Sequence, residues 1–99
     1  MKHILLSAAL VVVIAPAASA GMIERACLSS DRAAASRTLC GCIQRAADST
    51  LTMADQRLAS RFFGDPNMVQ NIRMSKRSDH SSFWERYKTF GARAEAYCG

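Results

Sequence analysis

Four cysteines, Cys27, Cys40, Cys42 and Cys98, stand in a chain of 99 residues, and they constrain its fold more than any other feature. A chain this short has room for one domain. A single core of that size rarely supplies more than about 3–5 kcal/mol, so cross-links at roughly 2–4 kcal/mol each decide whether it folds at all. Four cysteines allow three pairings, and two arguments disfavour Cys40 with Cys42. Positions two apart in a helix point about 200° away from each other. A three-residue loop would contribute only about 1.6 kcal/mol in the chain-entropy model, against about 4.2 kcal/mol for the long loop closed by Cys42 and Cys98. The expectation is one helix whose two sides are tied to two different neighbours. Whether Cys27 meets Cys40 or Cys42 stays open.

Disulfides need an oxidising compartment, and the first twenty residues read as the signal that reaches one. Met1, Lys2 and His3 form a short basic start, Ile4 to Ile14 form an apolar run, and Pro16 breaks it before Ala18-Ser19-Ala20. That triplet is a small-x-small cleavage site, with Gly21 as the first mature residue. A membrane span is the competing reading, but about eleven residues rise only about 17 Å against a hydrocarbon core of roughly 30 Å. The expected organisation is a signal peptide over 1–20 and a single small helical domain over 21–99, placed in the periplasm. No second apolar segment long enough to span a bilayer follows, so no transmembrane segment is expected in the mature chain.

Thirteen basic residues face eight acidic ones, a formal charge of +5. Lys2 alone of the basic residues lies in the signal, so the mature part keeps its cationic excess. A basic exported protein suits anionic envelope polymers, lipid head groups or an acidic protein partner. The competing reading is that arginines spaced every few residues solvate helix faces.

Hydrophobic spacing predicts an all-α bundle of three to four short helices, with a weak amphipathic turn before it carrying Ile23, Cys27 and Leu28. Asp31 or Ser36 caps a helix reaching about Leu51, in which Leu39, Cys42, Ile43, Ala46 and Ala47 form an apolar stripe and Gly41 marks a close contact beside the cysteines. Thr52 and Asp55 have capping-box spacing and open a second helix with Ala54, Leu58 and Phe62 on its inner side. Phe63-Gly64-Asp65-Pro66 ends it, with Gly64 expected in the left-handed conformation, Asp65 as the next N-cap and Pro66 at the first helical position. The third helix runs to about Ser75, with Val69 and Ile72 inward beside Met68. Residues 76–81 are expected to connect it to a last helix opened by a Ser82–Glu85 capping box. Phe83, Trp84, Tyr87, Phe90 and Tyr97, five of the seven aromatics, fall there, so this helix is expected to be the best buried.

The chemistry-bearing residues are sparse. Cys40-Gly41-Cys42 is the sharpest candidate, as a thiol–disulfide exchange site with Arg37 or Arg45 favouring a thiolate. Against it, the usual redox motif has two intervening residues in an α/β fold. One intervening residue also fails zinc spacing, and His80 sits among Ser and Asp where a solvated role is expected, so no metal is expected. No serine elbow, paired-carboxylate motif or phosphate loop is visible, which leaves catalytic residues and cofactors unassigned and enzymatic activity without support. No base-reading element accompanies the arginines, so nucleic acid is not an expected partner. The remaining candidate is an anion-binding patch of Arg73, Lys76, Arg77 and His80 at the end of one helix and in the connector after it, where cations also complement the helix dipole.

Cys40-Gly41-Cys42-Ile43-Gln44, Phe62-Phe63-Gly64-Asp65-Pro66, Phe83-Trp84-Glu85-Arg86-Tyr87 and Phe90-Gly91, with Ala94-Glu95 and Cys98, together resemble a group of short exported alphaproteobacterial proteins, some labelled "arginine transporter". The resemblance covers Cys27 to Cys98. It implies a periplasmic setting and, for a chain without a spanning segment, an accessory role near amino-acid uptake; it supplies no catalytic residue. Asp48, Asp55 and Glu95 are the acids such a role would need to bring together around arginine.

Overall fold

The computed structural model describes Ala9 and residues 21–31 and 35–99. The expected signal segment, Ala9 apart, lies outside the described residues. Among the described residues five helices form one all-α domain: α1 Met22–Leu28, α2 Arg37–Thr50, α3 Met53–Arg61, α4 Pro66–Arg73 and α5 Ser78–Cys98. The expected three to four become five because residues 22–28 close a full helix rather than a turn. Among the described residues no helix is long and apolar enough to cross a membrane.

Two disulfides fix the arrangement, Cys27–Cys40 between α1 and α2 and Cys42–Cys98 between α2 and α5. Helix α2 is thus tied on two sides to two neighbours, and the choice left open for Cys27 falls on Cys40. Cys42 faces Cys98 while Ser49 faces Arg93, so rising numbers on α2 meet falling numbers on α5 and the two run antiparallel. The core between the helices gathers Ile23, Ala46, Ala47, Leu51, Ala59, Phe62, Ile72, Phe83 and Phe90. Phe62 meets Phe83 and Tyr87 edge-on at centroid distances of 5.8 and 5.2 Å, a geometry that adds about 0.5–1.5 kcal/mol per pair beyond burial.

Helix α2 is rotated relative to its hydrophobic pattern. Its buried residues are Cys40, Gln44, Ala46 and Ala47, with Leu39, Cys42 and Ile43 half-buried. The cause is a polar contact. Gly21, the N-cap of α1, has no side chain to cap that helix. Gln44 supplies the cap from α2 instead, its Oε1 accepting the Glu24 N–H at 2.9 Å. Its Nε2 donates to Asp48 at 2.8 Å and to Gln56 at 2.9 Å, and Gln56 Nε2 donates to Asp48 at 3.2 Å. Every buried side-chain polar atom among the described residues has a partner, which is what makes burial of this amide cluster tolerable. The close glycine contact is accordingly at Gly21, where a Cβ would overlap the Gln44 side-chain amide; at Gly41 a Cβ would meet only ordinary contacts, the nearest Glu24 Oε1 at 3.4 Å.

The helix boundaries agree with the local signals in part. Ser36 rather than Asp31 caps α2, its Oγ accepting the Leu39 N–H at 3.1 Å. The Thr52–Asp55 capping box is complete, with both reciprocal bonds at 3.0 Å. Asp65 caps α4 and Pro66 sits in its first turn. Gly64 does not enter the left-handed region; α3 ends by tightening, the Gly64 and Asp65 N–H groups both donating to the Arg61 carbonyl at 3.2 and 3.1 Å. The inner face of α3 is Asp55, Gln56, Ala59 and Phe62, while Ala54 is exposed and Leu58 half-buried, because Gln56 is drawn into the Gln44 cluster and Asp55 toward α5.

Helix α5 departs most from expectation. It starts at Ser78, a turn early, with Arg77 as an N-cap whose side chain makes no capping bond to the backbone, so Ser82 and Glu85 lie inside the helix and form no capping box. Asp79 in the first turn complements the helix dipole, and Glu85 pairs with Lys88 at 2.9 Å instead. Nor is α5 the best-buried helix: Phe83 and Phe90 are buried, Trp84 and Tyr87 half-buried, and Tyr97 is 79% exposed. Phe83 and Phe90 face the core, whereas Tyr97, although α2 runs alongside it, lines the open clefts beside Cys42.

Candidate binding surface

The residues of the expected patch carry less free charge than their number suggests. Arg73 ends α4, and Lys76 and Arg77 follow in the connector, all exposed. Arg77 is committed to Asp79 through two bonds, Nε to Oδ1 at 3.1 Å and Nη2 to Oδ2 at 2.7 Å. The Arg77 guanidinium holds the Asp79 carboxyl below its usual range. His80 is half-buried rather than freely solvated, its Nδ1 lying 2.7 Å from Ser75 Oγ. Arg73 and Lys76 are therefore the free cations of this group.

None of the three candidate acids lines the apolar cleft between the helices. Asp55 is buried and bound by Arg86, Nε to Oδ2 at 2.6 Å and Nη2 to Oδ1 at 2.9 Å. The Arg86 guanidinium, opposed by burial and aided by Thr52, lowers the Asp55 pKa below 3.8, and the same bond raises that of Arg86. Asp48 accepts from Gln44 and Gln56. Glu95 is exposed on α5. That cleft, about 520 Å³, is mainly apolar, with Ile43, Phe62, Val69, Tyr87 and Phe90 on its walls and Asp31 as its one acidic lining residue among those described.

The two disulfides differ in access. Cys27 is 4% exposed and Cys40 fully buried, whereas Cys42 and Cys98 are half-buried. None of the cysteines is free, so Cys40 and Cys42 are not a pair with each other but belong to separate bridges. Beside Cys42–Cys98 lies a second cleft of about 350 Å³, lined by Arg45, Ala46, Ser49, Arg93 and Tyr97 with Cys42. Cys42, Arg45 and Ser49 recur at helical spacing on one side of α2, and Arg93 and Tyr97 on one side of α5. Sequence reasoning missed this cleft; the only signal was a basic residue three after Cys42 and another five before Cys98. Among the described residues no group of three or more His, Cys, Asp or Glu side chains is placed to hold a metal ion.

Compared with protein-family models, curated proteins and solved structures, the chain matches none.

Proposed function

We propose that this protein is an exported, non-enzymatic interaction module that recognises an anionic component of the cell envelope. The observation that carries the reading is the surplus of uncommitted cations. Among the described residues only Arg77, Arg86 and Lys88 meet a carboxylate within 4.0 Å. Arg25, Arg37, Arg45, Arg57, Arg61, Arg73, Lys76 and Arg93 are all exposed and meet none. Carried on a cross-linked backbone, such charges raise encounter rates with anionic surfaces. The signal pattern of residues 1–20, its cleavage before Gly21 and a periplasmic home for residues 21–99 belong to this proposal, and two disulfides suit an oxidising compartment. The test is cosedimentation of the oxidised protein with vesicles at low salt. Binding to phosphatidylglycerol but not to phosphatidylcholine is expected, weakened by Arg73→Gln with Lys76→Gln; failure to sediment with phosphatidylglycerol would overturn the reading.

A second reading is thiol exchange, favoured by the accessibility of Cys42–Cys98 beside Arg45. An incoming thiolate would attack one sulfur, form a mixed disulfide and release the other as a thiolate next to a guanidinium. Full resistance of this bridge to millimolar dithiothreitol in the folded protein would remove it.

A further inference from the structure

The geometry points to the cleft beside Cys42–Cys98 as a binding site for a phosphomonoester, with Arg45 and Arg93 as its two cationic walls. The inference deepens the anionic-partner reading and rests on it. The two arginines come from different helices and line one cleft of about 350 Å³. Arg93 Nη1 donates to Ser49 Oγ at 3.0 Å, and Ser49 Oγ in turn donates to the Ala46 carbonyl at 3.0 Å. That chain orients one guanidinium before any ligand arrives. Arg45 meets no carboxylate within 4.0 Å among the described residues; Glu24 Oε1 and Arg45 Nη1 both approach Gly41 without pairing, and the acid one turn along α2, Asp48, is turned to the Gln44 and Gln56 amides.

Two guanidiniums match the charge of a phosphomonoester, about −1.5 to −2 near neutral pH, better than that of a carboxylate or sulfonate. Each also offers a planar fork for bidentate contact with phosphate oxygens. Tyr97 is 79% exposed and lines both this cleft and the adjoining one, which reaches Ser36 and Thr38. An exposed ring between two clefts is a platform for whatever group the phosphate carries. The disulfide at Cys98 holds the last turn of α5 on α2, and so keeps Arg93 and Tyr97 opposite Arg45.

Phenyl phosphate titrated into the oxidised protein, followed by NMR at the Arg Nε–H groups and the Tyr97 ring, tests the site. Saturable shifts at Arg45, Arg93 and Tyr97 are expected, with phenylsulfonate at least about tenfold weaker. Arg45→Gln with Arg93→Gln should raise the Kd at least about tenfold, while Arg73→Gln with Lys76→Gln leaves it within about twofold. Tyr97→Ala should weaken phenyl phosphate more than inorganic phosphate. Equal affinity for the sulfonate, an unchanged Kd in the Arg45/Arg93 variant, or no saturation would overturn the inference. Phosphatidylcholine vesicles containing phosphatidic acid separate the sources: binding lost in the Arg45/Arg93 variant assigns a lipid head group, and phenyl phosphate binding without vesicle binding assigns a soluble ester. Retention on phosphatidylglycerol without any phenyl phosphate response would sink this site and leave the anionic-partner reading standing, whereas loss of both sinks both.

Discussion

Gly21 and Gln44 show how one residue's lack of a side chain sets the orientation of a helix. A methyl group at Gly21 would overlap the far end of Gln44, and that amide is held by Glu24, Asp48 and Gln56. Gly21→Ala should therefore destabilise by about 1–3 kcal/mol, because a buried and satisfied amide must move. Gln44→Leu should cost a similar amount by stranding the Glu24 N–H and the Gln56 amide; urea denaturation midpoints check both. Asp55 makes a pH prediction. Its folded pKa lies below the ordinary 3.8, so the Arg86 pair stabilises fully above that value and is lost as pH falls through the lowered one. Asp55→Asn should cost about 1–2 kcal/mol at neutral pH, discounted for the half-exposed Arg86. The gap from wild type should be constant between about pH 5 and 8 and close in strong acid. A gap that grows on acidification would contradict the assignment.

Among elements, those whose ends carry local chemistry were legible from sequence. Thr52–Asp55 and Asp65–Pro66 act within four residues, so no tertiary contact is needed to read them. What escaped depended on distant partners. The buried face of α2 is displaced by the Gln44 bond to α1, twenty residues away, and α3 turns Asp55 toward Arg86, thirty-one residues away. The expected capping box at Ser82 lost to an earlier start because Asp79 and Arg77 stabilise the added turn. Of the candidate site, the patch at Arg73 and Lys76 was legible as composition; the Arg45–Arg93 cleft was not, since it exists only once Cys42 meets Cys98. Element cross-links also give a kinetic expectation. Cys42–Cys98 should be reduced first under graded dithiothreitol and Cys27–Cys40 only on global unfolding, because access controls exchange. Alkylation followed by mass spectrometry reads the order, and simultaneous reduction would contradict it.

For the whole molecule, the two disulfides contribute about 3 and 4.2 kcal/mol in the chain-entropy model for separations of 13 and 56 residues. That is comparable to what a small core supplies. Replacing Cys42 and Cys98 together by Ser should lower stability by about 2–5 kcal/mol and weaken anion binding beyond the loss of folded fraction, since α5 is then free to leave α2. The scaffold carries both an apolar cleft and a set of uncommitted cations, and which of the two holds the partner is a question of salt. The decisive measurement is the affinity of the oxidised protein for phosphatidylglycerol vesicles between about 20 and 200 mM salt, within which exposed charges become progressively screened. A steep fall in affinity is expected if the cations carry recognition. Binding that holds constant across that range would place it in the apolar cleft and contradict the account.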